Sequence, residues 1–295
     1  MIKKIVWVSF GPDVSDEALN YAIYFAKIFD SKIYSLYIKP TTYFPEKEHS
    51  LSEYERKKNI EWNNHTFRQN LNKIEKLQIK INKEKIDNSY TILEGVPCLE
   101  ILNFAKVKSA DLIVMDKGKN LFNESTVQKT TLYIINHSKI PVLTVNPSEN
   151  INEIKTILVP TNKYNICSKA FNLACNISKK LNTHIVQLNI LKKNDPTIPT
   201  EEVERMHGDV YFNLSKSEIE NKNIESAVID SENISKGIIE YTSSNEIDLI
   251  ILQTYCGEKQ EIFHSNGSIT DKVIQQVKCP VITINSKEEV ELNEE

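Results

Sequence analysis

The chain has 295 residues, a formal net charge of −4 at pH 7 and a hydrophobic fraction of 40%. This length is enough for two domains of ordinary size, and the apolar fraction is sufficient for folded cores. A net charge this close to zero gives no general attraction to nucleic acid or to anionic membranes. Arginine, which grips phosphate with two parallel hydrogen bonds, occurs only at Arg56, Arg68 and Arg205. We therefore expect neither a nucleic-acid partner nor a membrane partner.

No apolar run is long enough to cross a bilayer, and the N-terminus leads into a strand-like run rather than a signal peptide. We expect a cytoplasmic protein. The cysteines are odd in number and lack the paired spacing of zinc or thioredoxin sites. Four are expected as small core residues, and Cys256 as an exposed thiol whose role stays open. The histidines show no metal-ligand spacing, so we expect no metal site. The cysteines are Cys98, Cys167, Cys175, Cys256 and Cys279.

Strands and helices alternate along the predicted order of elements. The first half gives strands at 4–8, 33–38, 89–93, 111–115 and 141–145, with helices at 16–29, about 52–77 and 99–108 and a further helix before the last strand. The second half gives strands at 157–161, 184–191, 226–230, 248–252 and 279–285, with helices at 200–219 and 236–243, one after the first strand and one before the last. Such alternation predicts a parallel sheet with helices on both faces.

The same series of elements occurs twice. Ala170, Ala174 and Leu181 repeat the spacing of Ala18, Ala22 and Phe29, and Asp248-Leu-Ile repeats Asp111-Leu-Ile. We predict one domain at residues 1–147, named copy one, a second at 153–286, named copy two, and an acidic tail at 287–295. A doubly wound sheet binds ligands beyond the C-terminal ends of its strands, where the winding reverses. The loops after the first and fourth strands of each copy are therefore the places where a site is expected.

These features together resemble the universal stress protein family in its tandem two-domain form. The resemblance rests on Ile157-Leu-Val-Pro-Thr161 with its alanine-rich helix, on Glu94-Gly-Val-Pro97 before a helix, and on the closing runs Ile140-Pro-Val and Cys279-Pro-Val. It implies two tandem, doubly wound, Rossmann-like α/β domains, each with a five-stranded parallel sheet. It also implies that the two copies pack as an internal pseudo-dimer through their last strands. A further homodimer stays open.

Family members that bind ATP carry an acidic residue after the first strand. They also carry a loop reading Gly, two residues, Gly, nine residues, Gly, then Ser or Thr. Glycines let the backbone approach phosphate oxygens, and the hydroxyl adds a donor. In copy one the acid is replaced by Phe10, the loop has the single glycine Gly118, and Asp116 places negative charge where phosphate would lie. We expect that copy one does not bind ATP in the family manner.

Copy two keeps more of this pattern. Gly257, nine residues and Gly267-Ser268 match the later part of the loop, while Thr254 replaces the first glycine and Asn162 replaces the acid. An asparagine amide can still pair with an adenine edge. The resemblance therefore gives five cofactor-binding candidates for ATP: Asn162, Thr254, Gly257, Gly267 and Ser268. The alternative is purely structural: Gly267 forms a turn before a helix that starts near Ser268.

Three functions stay open. The first is a non-enzymatic stress-response or regulatory protein with a reduced adenine-nucleotide site in copy two. The second is an interaction scaffold that binds a partner protein or a small apolar ligand without nucleotide. The third is a weak ATP-hydrolysing or adenylyl-transferring enzyme. The sequence shows no nucleophile elbow and no Walker-type Gly-Lys-Ser/Thr motif, so we name no catalytic residue.

Overall fold

The computed structural model describes residues 1–10, 17–40, 74–117, 126–146, 153–161, 168–192, 223–254 and 268–285. No helix in these ranges is long and apolar enough to cross a membrane. The strands are β1 (Lys4–Phe10), β2 (Lys32–Pro40), β3 (Asn88–Gly95), β4 (Leu112–Asp116), β5 (Val142–Val145), β6 (Thr156–Thr161), β7 (His184–Lys192), β8 (Ile224–Ser231), β9 (Leu249–Gln253) and β10 (Val281–Ile284). The helices are α1 (Glu17–Phe29), α2 (residues 74–83), α3 (Pro97–Lys108), α4 (Thr126–His137), α5 (Ser168–Leu181), α6 (Ile234–Ser244) and α7 (Ile269–Gln276).

All ten strands form one sheet in the order β3-β2-β1-β4-β5-β10-β9-β6-β7-β8. Within each copy the order is that of a doubly wound α/β domain, and neighbouring strands of one copy pair parallel. This confirms the predicted fold class. The winding reverses between β1 and β4 in copy one and between β6 and β9 in copy two, so the C-terminal ends of these strands are the expected ligand edges.

The two copies meet where β5 pairs antiparallel with β10, which we name the junction. Val281 pairs with Thr144, and Thr283 pairs with Val142. The two threonines make reciprocal bonds, since Thr144 Oγ1 donates to the Val281 carbonyl at 3.2 Å and Thr283 Oγ1 donates to the Val142 carbonyl at 3.3 Å. Both side chains are buried. The last strands therefore join the copies, as the resemblance implies.

Helices cover both faces of the sheet, and a separate apolar core lies under each face. Ile5 and Trp7 of β1 point into the core that α1, α2 and α5 cover. Val6 and Val8 point into the opposite core, under α3, α4, α6 and α7. Strands buried on both faces are continuously apolar rather than alternating. This explains why short apolar runs, and not a period of two, identified the central strands.

A repeated aspartate fixes the start of the first strand in each copy. Asp111 Oδ2 accepts hydrogen bonds from the Lys3 and Lys4 amides at 2.7 and 2.9 Å. Asp248 Oδ2 accepts equivalent bonds from the Lys155 and Thr156 amides at 2.8 and 2.9 Å. The carboxylate thus satisfies backbone donors at the N-terminal ends of β1 and β6. The repeated Asp-Leu-Ile motif has this structural role.

The end of the long helix predicted at 52–77 is wrong. Of this stretch the structure describes only 74–77, and the helix continues to residue 83. Ile81 is fully buried and extends the apolar stripe of Ile74 and Leu77 by one turn. The helix stops before Lys85, which has a positive φ of 57°. The predicted helix at 200–219 and the predicted tail at 287–295 lie outside the described residues.

The expectation that four cysteines are core residues is only partly met. Cys98 is buried, whereas Cys175 and Cys279 are half-buried. Burial raises the pKa of the Cys98 thiol, which disfavours the reactive thiolate at that position. Cys167 and Cys256 lie outside the described residues.

Removing the junction hydroxyls tests how far they hold the copies together. The double variant Thr144→Val, Thr283→Val keeps the volume and the β-branching but removes both reciprocal bonds. We expect the free energy of unfolding to fall by about 1 kcal/mol per lost bond, measured by chemical denaturation. Thr91→Val in the outer strand β3 is the matched control. A loss no larger than that of the control would show that the hydroxyls do not stabilise the junction.

Candidate functional site

The candidate site lies at the C-terminal edge of β6 and β9, where the winding of copy two reverses. β6 ends at Thr161 and β9 at Gln253, followed by Thr254, while α7 returns from this edge and starts directly after Ser268. Two of the five predicted site residues, Thr254 and Ser268, are thus described. Asn162, Gly257 and Gly267 lie outside the described residues, and their roles stay predictions.

Ser268 is the N-cap of α7. Its side chain accepts a hydrogen bond from the Asp271 amide at 3.0 Å, and Asp271 Oδ2 accepts one from the Ser268 amide at 3.1 Å. These two bonds form a capping box, which satisfies two amides that have no acceptor within the helix. The predicted helix start near Ser268 is therefore confirmed. In this cap the Ser268 hydroxyl acts only as an acceptor, and a hydroxyl can also donate one hydrogen bond.

Asp271 places a carboxylate at the same helix N-terminus. One oxygen belongs to the capping box, and the other, Oδ1, is buried with no hydrogen-bond partner in the described part of the chain. The positive end of the helix dipole favours an anion, and Asp271 already supplies one. Of the first-turn amides, the capping box leaves those of Ile269 and Thr270 for an external acceptor. A phosphate group would bind here against the charge of Asp271.

Thr254 closes the end of β9 onto β10. Its amide donates to the Ile284 carbonyl at 2.8 Å, and its Oγ1 donates to the same oxygen at 3.3 Å. Both donors therefore point to the neighbouring strand. The β-branched side chain at the position of the first loop glycine has a structural role in this state, which the sequence interpretation did not foresee.

Gln253 is a polar residue at this edge that the sequence interpretation missed. Its Oε1 accepts from the Ala170 amide at 3.3 Å, so the last side chain of β9 caps the first turn of α5. Helix N-termini are anion sites when their amides are free, and this contact occupies one amide of α5. The sequence feature that could have indicated this contact is a polar residue at the end of an otherwise apolar strand.

Thr161, the residue directly before Asn162, belongs to a buried polar pair. Thr161 Oγ1 donates to Asn189 Oδ1 at 2.8 Å, and both side chains are buried. Thr161 and Asn189 are register partners on β6 and β7. The pair links the end of β6 to β7 next to the predicted site residue Asn162. Sequence reasoning did not single out either residue.

In copy one, the residues at the C-terminal end of β4 make different contacts. Lys117 holds the place that Thr254 holds in copy two, because its amide donates to the Val145 carbonyl at 2.9 Å. The Lys117 side chain is only 9% exposed, and its Nζ donates to the Val277 carbonyl at 2.7 Å, across the junction. The Asp116 carbonyl accepts from Thr131 Oγ1 at 3.2 Å. The described residues at these strand ends make contacts within the protein, and the expectation that copy one does not bind ATP stays a prediction.

In the ranges that the structure describes, no three His, Cys, Asp or Glu side chains lie close enough together to hold a metal ion. The chemistry that this edge offers is hydrogen bonding to an anion or a nucleobase. The donors are backbone amides and hydroxyls, and the opposing charge is that of Asp271.

The strand order and the alternation of strands and helices define a tandem, doubly wound α/β protein. A model of the Universal stress protein family matches residues 1–146 and 153–285, so the chain belongs to that family. It is 34% identical over 155 residues to universal stress protein MJ0531 of Methanocaldococcus jannaschii, an alignment that covers 49% of this chain and 82% of that protein.

Solved structures of tandem length share the architecture. A universal stress protein from Archaeoglobus fulgidus is similar with a TM-score of 0.67 and 14% identity, covering 96% of both chains. A putative universal stress protein from Pseudomonas aeruginosa is similar with a TM-score of 0.61 and 12% identity, covering 96% of this chain and 93% of that one. At such identities these similarities show the fold alone.

The capping role of Ser268 can be measured directly. Ser268→Ala leaves the Asp271 amide without its acceptor, so we expect the free energy of unfolding to fall by about 1 kcal/mol. Ser268→Asp, which restores a capping oxygen, is the control and should lose much less. Equal losses in the two variants, followed by chemical denaturation, would contradict the capping role.

Proposed function

We propose that the protein is a non-enzymatic stress-response or regulatory protein whose copy two keeps a reduced adenine-nucleotide site for ATP. The observation that carries the proposal is Ser268. It ends the sequence pattern Gly257, nine residues, Gly267-Ser268, and it is the N-cap of α7, which follows the strand ends where a doubly wound sheet is expected to bind a ligand. Its hydroxyl and the amides of Ile269 and Thr270 are suitable donors for phosphate oxygens.

Three features of the described residues are expected to lower the affinity of this site for ATP. Asp271 brings negative charge to the N-terminus of α7. Gln253 occupies an amide of α5, and Thr254 turns its own donors toward Ile284. Each contact competes with a polyphosphate for the groups that would bind it. We therefore expect an affinity weaker than that of a loop with three glycines and no acidic residue at the helix.

A second function, an interaction scaffold without nucleotide, is favoured by the same closure of Thr254 on Ile284. In that case Ser268 and Asp271 cap a helix and do nothing more. The third function, a weak ATP-hydrolysing or adenylyl-transferring enzyme, requires a group that activates a nucleophile. Turnover of ATP by the purified protein, lost in Ser268→Ala, would favour the third function over the first.

ATP should stabilise the protein if copy two binds it. At about 100 times its dissociation constant, a ligand adds roughly 2.7 kcal/mol to the folded state, which is seen as a rise of the thermal midpoint. Gly267→Val should abolish the rise because a side chain obstructs the approach of backbone to phosphate. Gly118→Val in the copy-one loop is the matched control and should keep it. No rise in the unaltered protein would contradict the proposal.

Removing the charge of Asp271 should strengthen nucleotide binding. Asp271→Asn retains an oxygen that can accept from the Ser268 amide while it removes a negative charge near the phosphates. We expect the dissociation constant for ATP to fall about two- to fivefold, the size of a single charge effect at a helix terminus. Asp87→Asn, at the far edge of the sheet, is the control. Unchanged or weaker binding in Asp271→Asn would show that the phosphates do not lie at this helix.

A further inference from the structure

We propose that Lys117, in copy one, is a positioning residue for the nucleotide site of copy two, because it fixes the helix that carries Ser268. This inference rests on the proposed function. Copy one then supports the site of copy two, although the loop of copy one lacks the ligand-binding pattern.

The contact crosses the junction and is buried. Lys117 directly follows β4, and its side chain is 9% exposed. Its Nζ donates to the Val277 carbonyl at 2.7 Å, although the two residues are 160 positions apart. Val277 is the C-cap of α7. A lysine of copy one therefore ends on the last turn of the helix that starts at Ser268.

The charge suits this place. The C-terminus of a helix carries partial negative charge on carbonyls that have no partner within the helix, and a nearby cation stabilises it. At the other end, Asp271 supplies the complementary negative charge. A buried ammonium without an acceptor is costly, and the Val277 carbonyl is an acceptor for that of Lys117.

The length of α7 makes this contact matter for the site. The helix has 8 residues and spans about 12 Å, and so short a helix is unstable without tertiary contacts. Val273 and Ile274 pack its apolar face into the core, and the capping box and Lys117 hold its two ends. We therefore expect a shift at Val277 to move Ser268 as well.

Copy two makes a different contact in the other direction. Asn285 Nδ2 donates to the Asn136 carbonyl in the last turn of α4 at 2.9 Å. The residue equivalent to Lys117 in copy two is Thr254, which bonds within its own copy. The charged contact across the junction is thus made by copy one to the helix of the proposed site, and the repeat does not reproduce it.

The first test needs no ligand. In Lys117→Met, which keeps length and apolar volume, we expect the hydrogen-bonded amides of Ser268 and Asp271 in the first turn of α7 to exchange hydrogen at least about threefold faster. Thr144→Val removes a junction bond that does not touch α7, and it should leave these amides unchanged. If these two amides exchange at the same rate in both variants, Lys117 only stabilises the junction and the inference is wrong. Lys117→Gln, with a neutral donor, is measured in the same way if Lys117→Met does not fold.

The second test measures ATP affinity by titration calorimetry. We expect Lys117→Met to weaken binding about three- to tenfold, the range of energetic coupling through packed elements. Thr144→Val should bind like the unaltered protein even where its thermal midpoint falls. Equal affinity in both variants would overturn the link to the site. If the unaltered protein does not bind ATP, the proposed function fails, while the exchange measurement still decides whether Lys117 positions α7.

Discussion

The antiparallel pairing of β5 with β10 is the contact on which the rest of the structure depends. It turns two five-stranded sheets into one sheet of ten strands, with two continuous cores on its faces. The reciprocal bonds of Thr144 and Thr283 favour this register, because a slip of one residue would break both of them. The positions of α4 and α7 beside the junction, and of Lys117 and Asn285 across it, follow from this pairing.

The two copies share a scaffold and differ at the edge where a ligand would bind. Both place an aspartate, Asp111 or Asp248, against the start of the first strand. After the fourth strand, however, copy one has a lysine that is buried across the junction, and copy two has a threonine that closes on its own last strand. Duplication of a fold leaves each copy free to change its loops, since function resides in sites rather than in the fold.

The order of elements and the fold class could be predicted because local pattern decides them. Apolar runs bounded by turns gave the strands to within a few residues, and the serine after Gly267 gave the start of α7. The end of α2 was missed because Ile81 extends the apolar stripe beyond the polar residues around it. The contacts of Lys117 with Val277 and of Gln253 with Ala170 join residues 160 and 83 positions apart. No local pattern encodes such contacts, since the assembled sheet creates them.

The central claim is a division of roles, in which copy two binds the nucleotide and copy one supports the helix at its site. The stoichiometry of ATP binding to the purified chain, measured by titration calorimetry, tests this claim most directly. The account predicts one ATP per chain. Two per chain would show that the edge of copy one is open to ligand despite Lys117, and none would show that Ser268 is only a helix cap.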